Sequence, residues 1–319
     1  MNTAFDYDNY LGSKPFLYGR DLLKRIGIKR RYVNEYDVAD FLGYEVKEIS
    51  NSQFQEFKQR YGYDYDIGNI FDDKFCAVSI PKENLMLIYA NLFKNRKRLT
   101  IFHESGHDLI PWHHANAFSI RGKDFDPIVH QKIEREAFLA GTEIMYPLKH
   151  FVDDSLSLPL SLSSIKGLAD RYNGSFEATC IRYALTNQHI MAIVVVKENE
   201  QTAEQIIFSN CNNNGQYIFP NPPQYKKIIP SSTAPLRVQY CSHSYQFPKF
   251  IKSGAEIEKG NIIYECWSQQ RYKQGEIPAS VFGSSAKFKY FAECVYYQEK
   301  VFVLLWLPNR QLEFFRGVI

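Results

Sequence analysis

The sequence predicts an α+β protein of about two domains, and three observations carry that prediction. Apolar residues recur at helical spacing through most of the first 190 residues. From Ile190 onward the pattern changes to strand alternation. At 319 residues the chain is also longer than one hydrophobic core usually serves. The expected organisation is a helix-rich domain with a small sheet over 1–150, a helical connector over 151–189 and a β-rich α/β domain over 190–319.

From Lys14 to about Val46 two short helices are expected, with Leu22, Leu23 and Ile26 on one face and Val38, Phe41 and Leu42 on another. Phe75 to Ile80 and Leu85 to Tyr89 read as a hairpin around the turn Pro81-Lys82-Glu83-Asn84. A long helix begins near Phe93 and ends by Pro111, and a second runs from Pro127 to Met145, closed by Pro147. Ile165, Leu168, Ala169 and Tyr172 follow i, i+3, i+4, i+7. Asn173-Gly174 then breaks the helix, and Ser175 can cap another containing Phe176, Thr179 and Tyr183, a helix-turn-helix-like pair. Beyond it, IMAIVVV, QIIFSN and QYIF are strand candidates, and five prolines between Pro220 and Pro235 mark a long loop. KFKYFAECVYY and KVFVLLWLP read as an antiparallel hairpin around Gln298-Glu299, burying Val301, Val303 and Leu305 on one face.

Composition excludes several classes. With 45% hydrophobic and 23% charged residues the chain is neither disordered nor collagen-like. A net charge of +3 is too small for a surface that is wholly a polyanion footprint. The first residues, MNTAFDYDNYLG, lack a basic stretch followed by an apolar run, so the expected location is cytoplasmic. The longest apolar run, Ile190 to Val196, is far shorter than the roughly 20 residues of a membrane helix. Six scattered cysteines form no CxxC pair and are expected to be reduced and structural. Aromatics make up 15% of the chain and are densest from Lys287 to Trp306, where strand alternation favours core filling.

The chemistry lies in RKRLTIFHESGHDLI. His103 and His107 stand four apart in a helical stretch, so both imidazoles lie on one face and can reach one ion. Glu104 is turned about 100° from His103. It sits beside such a metal and can take a proton from an activated water. Gly106 costs roughly 1 kcal/mol relative to Ala in a helix interior, which suggests that something packs close to the helix there. A zinc site needs a third protein ligand, and the next helix offers Glu134, Glu136 and Glu143. Spacing alone does not choose among them. His113, His114 and Tyr146 are candidates to steady an oxyanion, although each is more readily read as structural. His130, His150, His189 and His243 show no partner spacing and are taken as structural. The basic run Lys94-Arg96-Lys97-Arg98 reads as a solvated face, with a docking surface for an acidic segment or DNA as the sharper alternative.

RLTIFHESGH resembles the RFTLAHELGH segment of the ImmA/IrrE family of zinc metallopeptidases, and EREAFLAGTEIMYP resembles its ExEANxFAAxLLMP segment. The resemblance covers roughly residues 15 to 190. It implies a thermolysin-like site with one zinc per chain held by His103, His107 and Glu134, and with Glu104 as the catalytic residue. Glu136 is the alternative ligand, and Glu143 is then a solvated helix residue. Where the family has Asn or Asp after the Ala, this chain has Phe138, so a polar partner for a zinc-bound His is missing or comes from elsewhere. In that family the C-terminal half can be a regulatory, GAF-like domain.

The resemblance further implies a cytoplasmic metalloendopeptidase that cuts a specific protein, such as a helix-turn-helix transcriptional repressor, and so releases a stress or mobile-element response. The alternatives are a catalytically silent metal-binding sensor and a DNA- or protein-binding regulator acting through Ser163 to Leu185. Direct nucleic-acid binding is not favoured. That segment has only Lys166, Arg171 and Arg182 as cations, and its second helix opens on Ser175-Phe176-Glu177. No membrane partner is expected.

Overall fold

A computed structural model describes residues 14–29, 31–50, 52, 53, 56, 77–113, 127–198, 236–247, 251–284 and 287–307. The fold is α+β, as the change of period predicts. Two compact units make it up. One comprises Met1–Asp153 with Leu168–Phe176, and the other comprises Asp154–Gly167 with Glu177–Ile319.

The first unit opens with helices α1 (Lys14–Ile26) and α2 (Glu35–Phe41). Asn34 caps α2, its side chain accepting from the N–H groups of Tyr36 and Asp37. The end of α2 is equally local in cause. Tyr44 N–H bonds back to Ala39 and Gly43 N–H to Asp40, a pattern that requires the left-handed φ of +86° that Gly43 supplies. The chain therefore leaves the helix before Val46, and Glu45–Ile49 forms strand β1, whose first two residues fall inside the stretch expected to be helical. Most of β1 is exposed or half-exposed, so its side chains carry no clear apolar period.

Strands β2 (Ala77–Ile80) and β3 (Leu85–Tyr89) form the expected hairpin around a 3-10 turn at Pro81–Glu83. The sheet order is β1-β3-β2, with β1 parallel to β3 and β2 on an edge. Helices α3 (Lys94–Leu109) and α4 (Pro127–Met145) follow, close to the expected bounds, and pack extensively on each other. Ile101 and Phe102 of α3, Ala137, Ala140 and Ile144 of α4, and Phe16 and Leu22 of α1 are buried. Helix α5 (Leu148–Leu156) is an addition to the expected elements, whereas α6 (Leu162–Arg171) is one of them. Asn173 ends α6 at φ +51°, and Gly174 N–H returns to Ala169, which is the break expected there.

The second unit includes α7 (Phe176–Thr186) from Glu177 onward and, among the described residues, a six-stranded sheet built from β4 (Met191–Glu198), β5 (Leu236–His243), β6 (Glu256–Ile257), β7 (Lys273–Pro278), β8 (Lys289–Tyr297) and β9 (Lys300–Trp306). Its order is β6-β5-β4-β9-β8-β7, and every pair is antiparallel. Val194, Val196, Val301, Val303 and Leu305 join one core with Ile263 and Cys266 of helix α8 (Ile262–Gln269). Phe302 and Leu304 are buried as well, so β9 is covered on both faces and not on one. Strands β5 and β7 are additions to the expected strands: β5 alternates over Leu236–Tyr240, whereas β7 reads KQGEIP and pairing with β8 makes it a strand. QIIFSN, QYIF and the proline-rich loop lie outside the described residues.

Cys180, Cys241, Cys266 and Cys294 are free thiols. Burial pushes the Cys241 thiol up to about 12 and Cys266 to about 11, which leaves them protonated at neutral pH. Cys76 and Cys211 lie outside the described residues. No helix among the described residues is long and apolar enough to cross a membrane.

Candidate metal centre

The site is made by two helices lying backbone to backbone. Gly106 of α3 faces α4 so closely that a β-carbon there would run into the Ala137 carbonyl. The expectation that something packs against Gly106 is met, and Ala137 is what packs. Gly141 of α4 is the reciprocal contact, since its β-carbon would lie 2.6 Å from the Phe102 carbonyl oxygen. Nothing in the sequence pattern marks Gly141.

This approach brings Glu134 of α4 to both histidines of α3. Its carboxylate lies 3.1 Å from His103 Nε2 and 3.4 Å from His107 Nε2, and the two Nε2 atoms are 3.2 Å apart. Three ligands on a tetrahedral zinc at about 2.0–2.1 Å would stand about 3.3–3.4 Å from one another, close to the spacing found. The two imidazoles and one carboxylate therefore suit a zinc ion in size and chemistry. Among the described residues, His103, His107 and Glu134 are the group placed to hold a metal.

The charges are arranged to match. Burial pushes the Glu134 carboxyl up, but hydrogen bonds from His103 and His107 overcome it and hold the group well below the usual carboxylate range. For His103, burial pushes down, while the bond to Glu134 and the nearby charges of Glu134 and Glu104 raise it on balance.

Glu104 is not part of the ligand group. Its Oε2 accepts from the Ser79 N–H at 3.2 Å, so the carboxylate is held between the histidine pair and edge strand β2. Asp108 accepts from the Tyr44 hydroxyl at 2.7 Å, fastening α3 to the chain just before β1.

The other candidates are placed elsewhere. Glu136, the alternative ligand, accepts from Trp112 Nε1 at 2.6 Å and lies 3.0 Å from His113 Nε2. Glu143 is not solvated: it is buried, pairs with Arg20 at 3.1 Å and accepts from the Leu148 N–H. Tyr146 is fully buried, its ring against Phe151 and Tyr172. His113 is buried too, with its Nδ1 3.1 Å from His107 Nδ1. It therefore meets His107 on the side of the ring opposite Nε2, away from where an oxyanion would form. Burial, with the neighbouring His107 charge, pushes His113 down to about 4 against the opposing bond to Glu136. His114 and the side chain of His130 lie outside the described residues, while His150, His189 and His243 take no part in the cluster.

The basic run beside the site is not one solvated face. Arg98 is fully buried, donating to the Val33 carbonyl and to Glu35, with its guanidinium 4.4 Å over Tyr32 and 4.8 Å over Phe102. Lys97 pairs with Glu48 at 2.6 Å.

Fold and site together define an α+β protein that carries a two-histidine, one-glutamate group able to hold a metal between paired helices. No family model and no curated protein matches the chain. Among solved structures it is similar to one described as a Mycobacterium tuberculosis transcriptional regulator, with TM-score 0.55 and 12% identity. That likeness covers 99% of this chain and 82% of the other, and it is a likeness of fold.

Proposed function

We propose that this chain is a cytoplasmic zinc-dependent endopeptidase of the ImmA/IrrE kind. The observation that carries the reading is the convergence of His103, His107 and Glu134, with Glu104 beside them and outside the ligand group. Zinc held there would act as a Lewis acid on the scissile carbonyl and lower the pKa of a water towards about 7. Glu104 then serves as general base, taking a proton from the attacking water, and as general acid, returning it to the leaving amine. The Ser79 N–H keeps that carboxylate oriented until substrate arrives.

The substrate expected from the resemblance is a helix-turn-helix repressor. Co-expression with proteins encoded beside this chain, native against Glu104→Gln, tests the reading. Native protein should cut one neighbour, and Glu104→Gln should lower that cleavage by about 10²–10⁴-fold while holding zinc as tightly. Full cleavage by Glu104→Gln, or purified protein with no zinc near one per chain, would overturn it.

A second reading, a metal-binding regulator without peptidase activity, draws on the likeness to the transcriptional regulator. Salt-dependent duplex binding that a chelator does not affect, with no neighbour cleaved, would favour it.

A further inference from the structure

Phe138 stands where a polar partner for a zinc-bound histidine was expected, and a phenyl ring cannot supply one. We propose that His113 is the positioning residue for His107, held in place by Glu136 and Trp112, and that it does the work Phe138 cannot. This inference rests on the metal reading above.

The hydrogen-bond chain can be assigned by elimination. Glu136 is an acceptor, and the Trp112 indole N–H can only donate. The same Glu136 oxygen lies 3.0 Å from His113 Nε2, so that nitrogen carries a proton and donates. His113 Nδ1 and His107 Nδ1 stand 3.1 Å apart, so one proton lies between them. His107 turns its Nε2 to His103 and Glu134, as a metal ligand must, so that proton belongs to His107 Nδ1 and His113 Nδ1 accepts it. One carboxylate thus sets the tautomer of the ligand two hydrogen bonds away. Such support fixes ring orientation and strengthens a histidine as a ligand.

The anchor is itself braced. Trp112 packs edge-on against Tyr18 of α1, with ring centroids 5.7 Å apart, and the Lys14 ammonium lies 5.8 Å over its ring. His113 itself is 4% exposed, so little water competes for its two bonds.

The test measures zinc affinity of the full chain by competition with a chromogenic chelator, with the cobalt-substituted absorption spectrum as a second readout. His113→Phe fills the volume but removes both bonds, and His113→Asn restores an acceptor near the Nδ1 position. Zinc affinity should fall about 10–100-fold in His113→Phe, with an altered cobalt spectrum, and His113→Asn should recover most of the loss. Thermal unfolding of the metal-free variants serves as the folding control. Unchanged affinity in His113→Phe overturns the inference, as does an equal loss in His113→Asn, which would indicate packing alone. Native protein that takes up no zinc overturns both this inference and the reading beneath it. Zinc binding weakened by His113→Phe in a protein that cleaves nothing supports the inference and overturns only the peptidase.

Discussion

Glu104 and Glu134 are both half-buried glutamates near one histidine pair, yet their partners separate their roles. Glu134 meets two imidazoles and stays ionised, whereas the Oε2 of Glu104 accepts from the Ser79 N–H and the residue stands outside the ligand group. Glu134→Gln should therefore lower zinc affinity sharply, and chelator competition would register the loss. In the second unit, Glu293 of β8 is buried and accepts from the Leu162 N–H at 3.0 Å. Burial raises its pKa, against the bonds from Leu162 and Tyr272. A carboxyl raised on folding favours the native state below its unfolded pKa, and that advantage is lost as pH rises through the folded value. Glu293→Gln should consequently flatten the decline in stability from the ordinary carboxylate range upward, as read by unfolding midpoints across pH. Little change in that slope would show that Glu293 is not its source.

Helix packing sets a second group of expectations, and two glycines give them opposite signs. Gly106→Ala adds helix propensity of about 1 kcal/mol but drives a methyl into the Ala137 carbonyl, and overpacking of this kind costs about 1–3 kcal/mol. The variant should be less stable on balance and should bind zinc more weakly, because Glu134 rides on the helix that is pushed away. Gly167 of α6 is exposed, with nothing within 4 Å of the place an alanine methyl would take. Gly167→Ala should stabilise by about 0.5–1 kcal/mol, measured by denaturant unfolding. A stabilised Gly106→Ala would mean that α3 and α4 are free to separate. Helices α3 and α4 were legible in the sequence because each is a long run without an internal proline, with some apolar residues at helical spacing, and a proline follows two residues after its end. Strands β1 and β7 were not, since EVKEI and KQGEIP carry no clear apolar period and take their character from the neighbour they pair with, whereas β5 alternates over Leu236–Tyr240 and its signal is local.

The chain as a whole divides near residue 153, but Leu168–Phe176 returns to the first unit. Tyr172 packs against Tyr146 and Phe151 at 5.8 and 5.2 Å between ring centroids, and Asn95 donates to the Gly174 carbonyl. A fragment cut at residue 150 loses all of these contacts, because Phe151, Tyr172 and Gly174 lie beyond the cut. It should unfold at lower temperature than a fragment reaching residue 187, and equal midpoints would show that the returning segment adds nothing. Zinc in excess should raise the unfolding free energy of the first unit in the full chain, by about 2.7 kcal/mol at a hundredfold excess over Kd, and a chelator should reverse it.

By itself the sequence determined the α+β class, the two long helices, the break at Asn173-Gly174, and the pair of histidines with Glu104 between them. Those features are local: periodicity, capping and i, i+4 spacing act within a few residues of chain. Its spacing left Glu134, Glu136 and Glu143 as equals, and the resemblance favoured the first. Only the tertiary structure assigned them separately, to the histidine pair, to His113 with Trp112, and to Arg20. It also set the contacts of His113, because which nitrogen of one ring faces which nitrogen of another depends on how α3, α4 and α1 pack. No spacing along a single chain encodes that.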